Sequence, residues 1–393
     1  MHIGHFTNSY IPVVNGVVRS VSAFRKALTE LGHNVFIFAQ HQSNFEDQEP
    51  FIFRYPSLKL PMSVDIPAVI PVSPFIDRLI PPLKLNVIHT HHPFLLGQAA
   101  ANIAEENDLP LVFTFHTQYR EYTHYVPISQ DVVQDFLKDA VNIWLRDFMK
   151  RCQHIVVPSK SMRDILVNEY DLKGPYTIIP TGIDLTPYQN ADGTAIRQKH
   201  GWGSARVMIS IGRLAKEKNW SLMLKATALV VKDYPNLRFA LLGEGPQRRE
   251  LENLAAQLGI AKHVDFIGKV PFEEIPAYLK AADLFGFASL TETQGLVTLE
   301  ALAANLPVVA VDASGTRDII QHEKQGLLVA EDPGALANGI CQLLSDETGF
   351  KRYQEATLAR AQEFEIKKLA AHLLDVYEQA RLDKQDNQFV TVN

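Results

Sequence analysis

Short apolar runs and amphipathic stretches alternate along this chain, and the alternation starts over once. In the first half, His2–Phe6, Asn34–Ala39, Val87–Thr90, Leu111–Phe115 and Gln153–Val157 are apolar runs of strand length. Gly16–Leu31, Ala99–Asn107 and Ser129–Arg151 carry apolar residues at helical spacing. Near residue 205 the pattern restarts, with strands expected at Arg206–Ile211, Leu237–Leu242, Val264–Ile267, Leu284–Ala288 and Pro307–Val311. Helices are expected at Trp220–Tyr234, Gln247–Leu258, Pro276–Ala282 and Thr298–Ala304. Strands separated by helices pair in parallel, with both faces covered. The fold class is therefore α/β, with two doubly wound, Rossmann-like domains facing each other across a cleft. We place them at residues 1–184 and 185–365, joined through a loop-rich hinge from Pro180 to Trp202. Ile366–Lys384 reads as one amphipathic helix, and the polar tail Gln385–Asn393 is expected to fray.

Composition narrows the class. At 393 residues the chain is too long for one ordinary core. A charged fraction of 21% and a net charge of -6 argue against a nucleic-acid partner, which needs a basic face. Cys152 and Cys341 stand far apart, so no disulfide framework is expected and a cytoplasmic setting fits. Met1-His-Ile-Gly-His-Phe6 opens directly into a strand, and no run approaches the ~18 apolar residues of a membrane span. Any membrane contact is expected to be peripheral.

In doubly wound sheets, ligands bind at the C-terminal ends of the strands, and the candidate chemistry falls there. Gly212 and Arg213-Leu-Ala-Lys-Glu-Lys218 follow one expected strand. Two cations at such an end can clamp a diphosphate and stabilise its departure; taken alone, they read as a solvated basic turn. Glu292-Thr-Gln-Gly-Leu-Val-Thr-Leu-Glu300 follows another. Gly295 allows close backbone approach, and the amides of Leu296 and Val297, at the head of a helix, can take phosphate oxygens. One turn in, Glu300 can accept both hydroxyls of a ribose, and Glu292 can accept sugar hydroxyls. The plain alternatives are a solvated helix face for Glu300 and an N-terminal helix charge for Glu292. Asn15-Gly16 opens the first helix, where Gly16 offers a second phosphate approach or an ordinary loop glycine. Gly243-Glu-Gly-Pro246 lacks the third glycine of a dinucleotide fingerprint, and neither Gly4 nor Gly212 begins one, which disfavours a nicotinamide enzyme. His89, His91 and His92 crowd one strand end and His116 another, but without a carboxylate or cysteine at ligand spacing no metal is expected. No Asp-x-Asp pair is present to hold a divalent ion under a diphosphate.

Together these residues resemble the family 4 retaining glycosyltransferases of the GT-B fold. The shared elements are Tyr10-Ile-Pro-x-x-Asn-Gly16, His116, Val157-Pro-Ser159, Ile179-Pro-Thr-Gly-Ile-Asp184, Gly212-Arg213 with Lys218, Gly243-Glu-Gly245 and Glu292-x7-Glu300. The resemblance covers nearly the whole chain. It implies that Glu300 binds ribose, that Arg213 and Lys218 bind diphosphate, and that Gly16 approaches the diphosphate by its backbone. Glu292, with the amides of Thr293, Gln294 and Gly295, would hold the sugar. His116 would lie beside the sugar ring, and the base near Lys269 and Val270. The helix after Ile366 would cross back to the first domain.

Gln294 stands where many members carry Phe. With Tyr119-Arg-Glu-Tyr-Thr-His-Tyr-Val-Pro127, the Glu-Thr-Gln-Gly-Leu-Val run looks like the diacylglycerol glucosyltransferases, peripheral membrane enzymes that use UDP-glucose. On this reading a hexose moves from a UDP-sugar to a lipid acceptor such as 1,2-diacylglycerol, with retention and without metal or other cofactor, at the inner face of the membrane. Two segments bear on it. Asp135–Arg151 lines Leu137, Val141, Trp144 and Phe148 on one face, with Lys138, Arg146, Lys150 and Arg151 around the other, as a membrane-surface helix or a core-facing one would. The Pro-rich run Ile70–Leu83 can seat acyl chains or pack inside.

Three other readings stay open. A soluble sugar, sugar phosphate or inositol-type headgroup would change only the acceptor. A UDP-sugar epimerase of this fold would need carboxylates facing the sugar, for which Glu121 is the nearby candidate. A nucleotide sensor would bind UDP without turnover.

Overall fold

The computed structural model describes residues 1–58, 68–117 and 131–392, with the side chains of 131–138 left aside. The run Tyr119 to Pro127, with Glu121, and the side chains of Leu137 and Lys138 lie outside the described residues. The chain folds as two compact units, Met1–Gly182 with Ile366–Asn393, and Ile183–Glu365.

The first unit holds a seven-stranded sheet ordered Tyr176–Ile178, His154–Val157, Leu111–Thr114, Val87–Thr90, His2–Thr7, Asn34–Gln40 and Ile52–Tyr55. All of its pairings are parallel. Successive side chains alternate between faces, and the sequence divides accordingly. Phe6, Phe36, Phe38, Ile88, Phe113 and Ile155 enter one core with Leu96–Glu106 and other helices. Ile3, Ile37, Val87, Val112 and Val156 enter the other. That second face is covered by Gly16–Glu30 and by Ile366–Gln385, which lays Ile366, Ala370, Leu373, Val376, Tyr377 and Ala380 on it. Gly182 marks the chain's exit from the unit: a Cβ there would stand 2.6 Å from Cα of Ile366.

Several expectations need correction. The tail does not fray: Val390 and Val392 are buried, and Thr391–Val392 pairs antiparallel with Leu172–Gly174. The alternating Val-Thr-Val pattern, which is strand-like, carries that pairing. The Pro-rich run Ile70–Leu83 packs only partly inside. Ser73 caps a helix over Pro74–Leu83, Pro74 starts it, and Ile76 and Ile80 are buried while Val72 and Phe75 are exposed. The hinge is less open than its composition suggests, since Thr186–Asn190 and Thr194–Lys199 are short helices. In the described part of Asp131–Met149, Leu145, Phe148 and Met149 are buried and Trp144 stacks on Phe94 at 4.2 Å. That helix therefore turns its apolar stripe into its own unit's core.

The second unit has a six-stranded parallel sheet ordered Val264–Gly268, Leu237–Leu242, Arg206–Ile211, Leu284–Phe287, Val308–Val311 and Gly326–Val329. One face packs Val207, Ile209, Phe285 and Phe287 under Leu296–Ala303, and the other packs Met208, Phe239 and Val309 under Trp220–Val230 and Pro333–Ser345. Cys152 and Cys341 form no disulfide, and no described helix is long and apolar enough to cross a membrane.

Leu373, 1% exposed in the core between the two covering helices, tests the cover. Leu373→Ala should cost about 2–5 kcal/mol in denaturant unfolding of this unit. A loss under about 1 kcal/mol would show that the helix is not part of the core.

Candidate active site

Arg206–Ile211 ends at Gly212, and the next turn carries the cations. The Trp220 indole N–H donates to the Arg213 carbonyl at 2.8 Å and pins this turn to the following helix. Lys216–Lys218 forms one 3-10 turn, closed by Asn219 in the left-handed region. The Gly243 turn is built against it: a Cβ on Gly243 would lie 1.9 Å from the Gly212 carbonyl oxygen, and one on Gly245 2.4 Å from that of Leu214. Leu214 N–H donates to the Glu244 carbonyl at 2.9 Å. These glycines thus have a packing role, locking two strand-end turns together.

Arg213 is exposed, and its guanidinium pairs with Glu217 one turn on. Lys218 reaches across the unit and pairs with Glu292. The same Glu292 oxygen accepts the Ser289 hydroxyl at 2.7 Å, and that hydroxyl also lies 3.3 Å from the Glu217 carbonyl. Residues from the ends of two neighbouring strands are therefore tied into one polar cluster. The Lys218–Glu292 pair is mostly shielded, with side chains 21% and 16% exposed. Removing one partner of such a pair leaves an uncompensated charge.

Glu292 leads into a turn whose left-handed backbone favours glycine. Gly295 has φ 71° and caps Leu296–Ala303, to which no side chain donates or accepts as a cap. The amides at the head of this helix face outward from the ladder, as an anion-binding helix start requires. Gly315, φ +69°, presses on this turn from the next strand end; a Cβ there would stand 2.3 Å from the Glu292 carbonyl oxygen. Thr293 is half-buried; Gln294 and Glu300 are buried, at 4% and 2% exposure. Glu300 is thus no solvated helix charge. Lys269 is exposed and Val270 half-buried just after Val264–Gly268.

In the first unit, Gly16 begins its helix beside the Asn15 cap, and a side chain there would meet no atom within 4 Å. The histidines form a cluster that the sequence only half disclosed. His5 and His89 are register partners on adjacent strands, so their rings share a face with His91. Ring nitrogens of His5, His89 and His91 lie within 4.8 Å of one another. His92 is not part of the group: its Nδ1 accepts the Asn8 N–H at 3.1 Å. His91 Nδ1 is 2.9 Å from His116 Nε2, and Tyr377 contacts both His89 and His5. Burial, with Arg25 nearby, lowers His5 to about 3; burial, with His92 and His5, lowers His116 to about 3. Burial lowers His92 to about 4 and drives His89 and His91 well below the usual range. His5 and Tyr377 were missed, although His5 sits two residues from buried Ile3 on the same strand face. Ser289, Glu217 and Gly315 were missed because nothing local distinguishes them.

Two α/β units, each built on a parallel sheet, with paired charges beside an open helix start in the second, fit the glycosyltransferases of the GT-B fold, and the comparisons with known proteins show that class. The profile of glycosyltransferase family 4 matches residues 14–187, and that of the group 1 glycosyl transferases residues 192–362. The chain is 33% identical over 320 residues to an alpha-monoglucosyldiacylglycerol synthase of Acholeplasma laidlawii, covering 79% of this chain and 80% of the relative. It is 32% identical over 347 residues to the synthase of that name from Streptococcus pneumoniae, covering 84% and 75%. Among solved structures it resembles Anabaena Alr3699/HepE in complex with UDP, with a TM-score of 0.77, 19% identity and coverage of 96% and 100%. The chain belongs to the family 4 glycosyltransferases.

The buried rings make the first unit acid-labile. Unfolded histidines take up protons near pH 6.5, whereas the folded rings stay neutral to about 3 or 4. Between those limits the unfolded state binds more protons, so stability falls as pH falls. Each ring contributes between about 1 and 1.5 kcal/mol per pH unit. Denaturant midpoints should drop steeply from pH 6.5 to 5, before most carboxylates titrate. A flat profile over that window would mean that the rings are already charged in the fold.

Proposed function

We propose that this enzyme transfers a hexose, glucose by preference, from a UDP-sugar to the hydroxyl of a lipid acceptor such as 1,2-diacylglycerol, with retention and without metal. The observation that carries this reading is the Lys218–Glu292 pair, set beside Arg213 and the uncapped start of Leu296–Ala303. On donor binding, Lys218 exchanges Glu292 for the diphosphate, and Glu292 turns to the sugar hydroxyls. Arg213 gives its fork to the diphosphate, and the amides of Leu296 and Val297 take phosphate oxygens. Glu300 accepts the ribose hydroxyls, and Lys269 and Val270 flank the base. His116 acts beside the sugar, and Gly16 presents backbone to the diphosphate.

The bond from the anomeric carbon to the diphosphate breaks as the acceptor oxygen bonds to the same face. The acceptor proton passes to the leaving phosphate oxygen. The cations stabilise the charge on the leaving group. No carboxylate among the described residues stands at the His116 strand end to form a covalent intermediate.

The lipid acceptor is supported by the synthase relatives and by an apolar edge on the first unit. Val72 and Phe75, at 63% and 68% exposure, flank the helix start at Pro74. We place the enzyme at the cytoplasmic face of the membrane, touching it through this edge.

Arg213→Ala should lower kcat by about 100-fold to 1,000-fold with the circular dichroism spectrum unchanged. Near-normal turnover of UDP-glucose by that variant would remove the diphosphate clamp. Offered diacylglycerol micelles and soluble sugars in parallel, the enzyme should glycosylate the micelles, read by mass spectrometry; exclusive transfer to a sugar, sugar phosphate or inositol headgroup would replace the acceptor. The double variant Val72→Ser, Phe75→Ser should cosediment less with anionic vesicles than the parent. Equal cosedimentation would move the membrane contact elsewhere.

A further inference from the structure

Five hydrogen bonds join six side chains of the first unit into one unbranched chain. It runs from the Thr114 hydroxyl to His89 Nε2 (2.6 Å), from His89 Nδ1 to the Tyr377 hydroxyl (2.6 Å), and from there to His5 Nε2 (3.3 Å). It continues from His5 Nδ1 to His91 Nε2 (2.8 Å) and from His91 Nδ1 to His116 Nε2 (2.9 Å). His116 Nδ1 is the ring nitrogen outside the chain. Burial keeps all four rings neutral at pH 7.

A neutral imidazole has one N–H and one acceptor nitrogen, and a phenol has one proton. Each interior group must therefore donate to one neighbour and accept from the other. A direction chosen at any link propagates to both ends. Only two arrangements satisfy all five bonds. With protons pointing from Thr114 toward His116, every ring carries its proton on Nδ1. With the direction reversed, every ring carries it on Nε2.

The Thr114 end decides between them. Thr114 is buried, and among the described residues its hydroxyl bonds only to His89. In the reversed arrangement that hydroxyl accepts from His89 and its own proton is left without an acceptor, which carries the full desolvation penalty. In the forward arrangement the proton is used, and the leftover N–H is His116 Nδ1.

We propose that this chain fixes His116 as its Nδ1–H tautomer, so that the ring meets the sugar as a hydrogen-bond donor. Tyr377, His5 and His91 are then positioning residues, acting through His116. This rests on the reading of His116 as the group beside the sugar. It also gives the helix Ile366–Gln385 a part in the chemistry, because Tyr377 is the link without which three of the rings lose contact with Thr114.

The test is long-range proton–nitrogen NMR on the full chain labelled with 15N-histidine, which reports the tautomer of each ring. All four rings should be Nδ1–H, the minor form of free histidine. Thr114→Val should shift His116 toward Nε2–H and lower kcat about tenfold or more, with KM for the donor little changed. Thr114→Ser, which keeps the hydroxyl, should restore both. Tyr377→Phe should release His5, His91 and His116 together while leaving His89 held by Thr114. A mixed set of tautomers in the parent would overturn the proposal, as would an unmoved His116 in Thr114→Val or stoichiometric zinc on His5, His89 and His91. If His116→Ala instead keeps full turnover, the role of His116 at the sugar fails while the tautomer result stands on its own.

Discussion

A parallel sheet cannot leave a face in water, and the first unit satisfies that rule only with help from far along the chain. Its strands are apolar on both sides, and helices within the first 182 residues cover most of one side, with Val390 and Val392 added to it from the tail. The other is shared between Gly16–Glu30 and Ile366–Gln385. The chain must therefore complete the whole second unit before returning to close the first. The return also brings a phenol over a row of imidazoles that would otherwise face apolar side chains. Buried polar groups persist only when bonded, and Tyr377 bonds two of them.

The second unit applies the same rule to charge. Lys218 and Glu292 would each be costly alone in a shielded turn; together, with the Ser289 hydroxyl, they are held in fixed positions. In the proposed reaction, Lys218 exchanges one anionic partner for another, and Glu292 exchanges its cation for hydroxyl donors. A site arranged this way is already oriented before its ligand arrives, which lowers the reorganisation required at the moment of reaction. The close approaches at Gly243 and Gly315 hold four strand-end turns together in two pairs beneath it.

Much of this was legible in the sequence, for identifiable reasons. Strands such as Leu284–Phe287 and Val308–Val311 announced themselves because burial on both faces leaves an unbroken apolar run. The edge strand Ile52–Tyr55 did not, because it carries Arg54 and has only one neighbour. Gly326–Val329 was passed over because it is only four residues long, Pro333–Ser345 because Gly334 and Gly339 break its pattern, and Glu347–Glu363 because polar residues interrupt the period. In the site, the strand-end placement of Arg213, Lys218, Glu292 and Glu300 was readable from spacing. That Lys218 and Glu292 pair with each other was not, since 74 residues separate them and only the sheet order makes their strands adjacent. Tyr377 lies 288 residues from His89, and no local pattern connects them.

The shared cover has a consequence during synthesis. Once residue 182 has left the ribosome, the first sheet exists with one side half bare, and its closing helix is still about 180 residues away. At ~5–20 residues per second that interval lasts roughly 10 to 40 seconds. Throughout it, Val87, Val112 and Val156 and the imidazoles between them face water or a chaperone. The second unit, whose 183 residues are contiguous, needs nothing made later. The half of the enzyme made first is thus the half that finishes folding last.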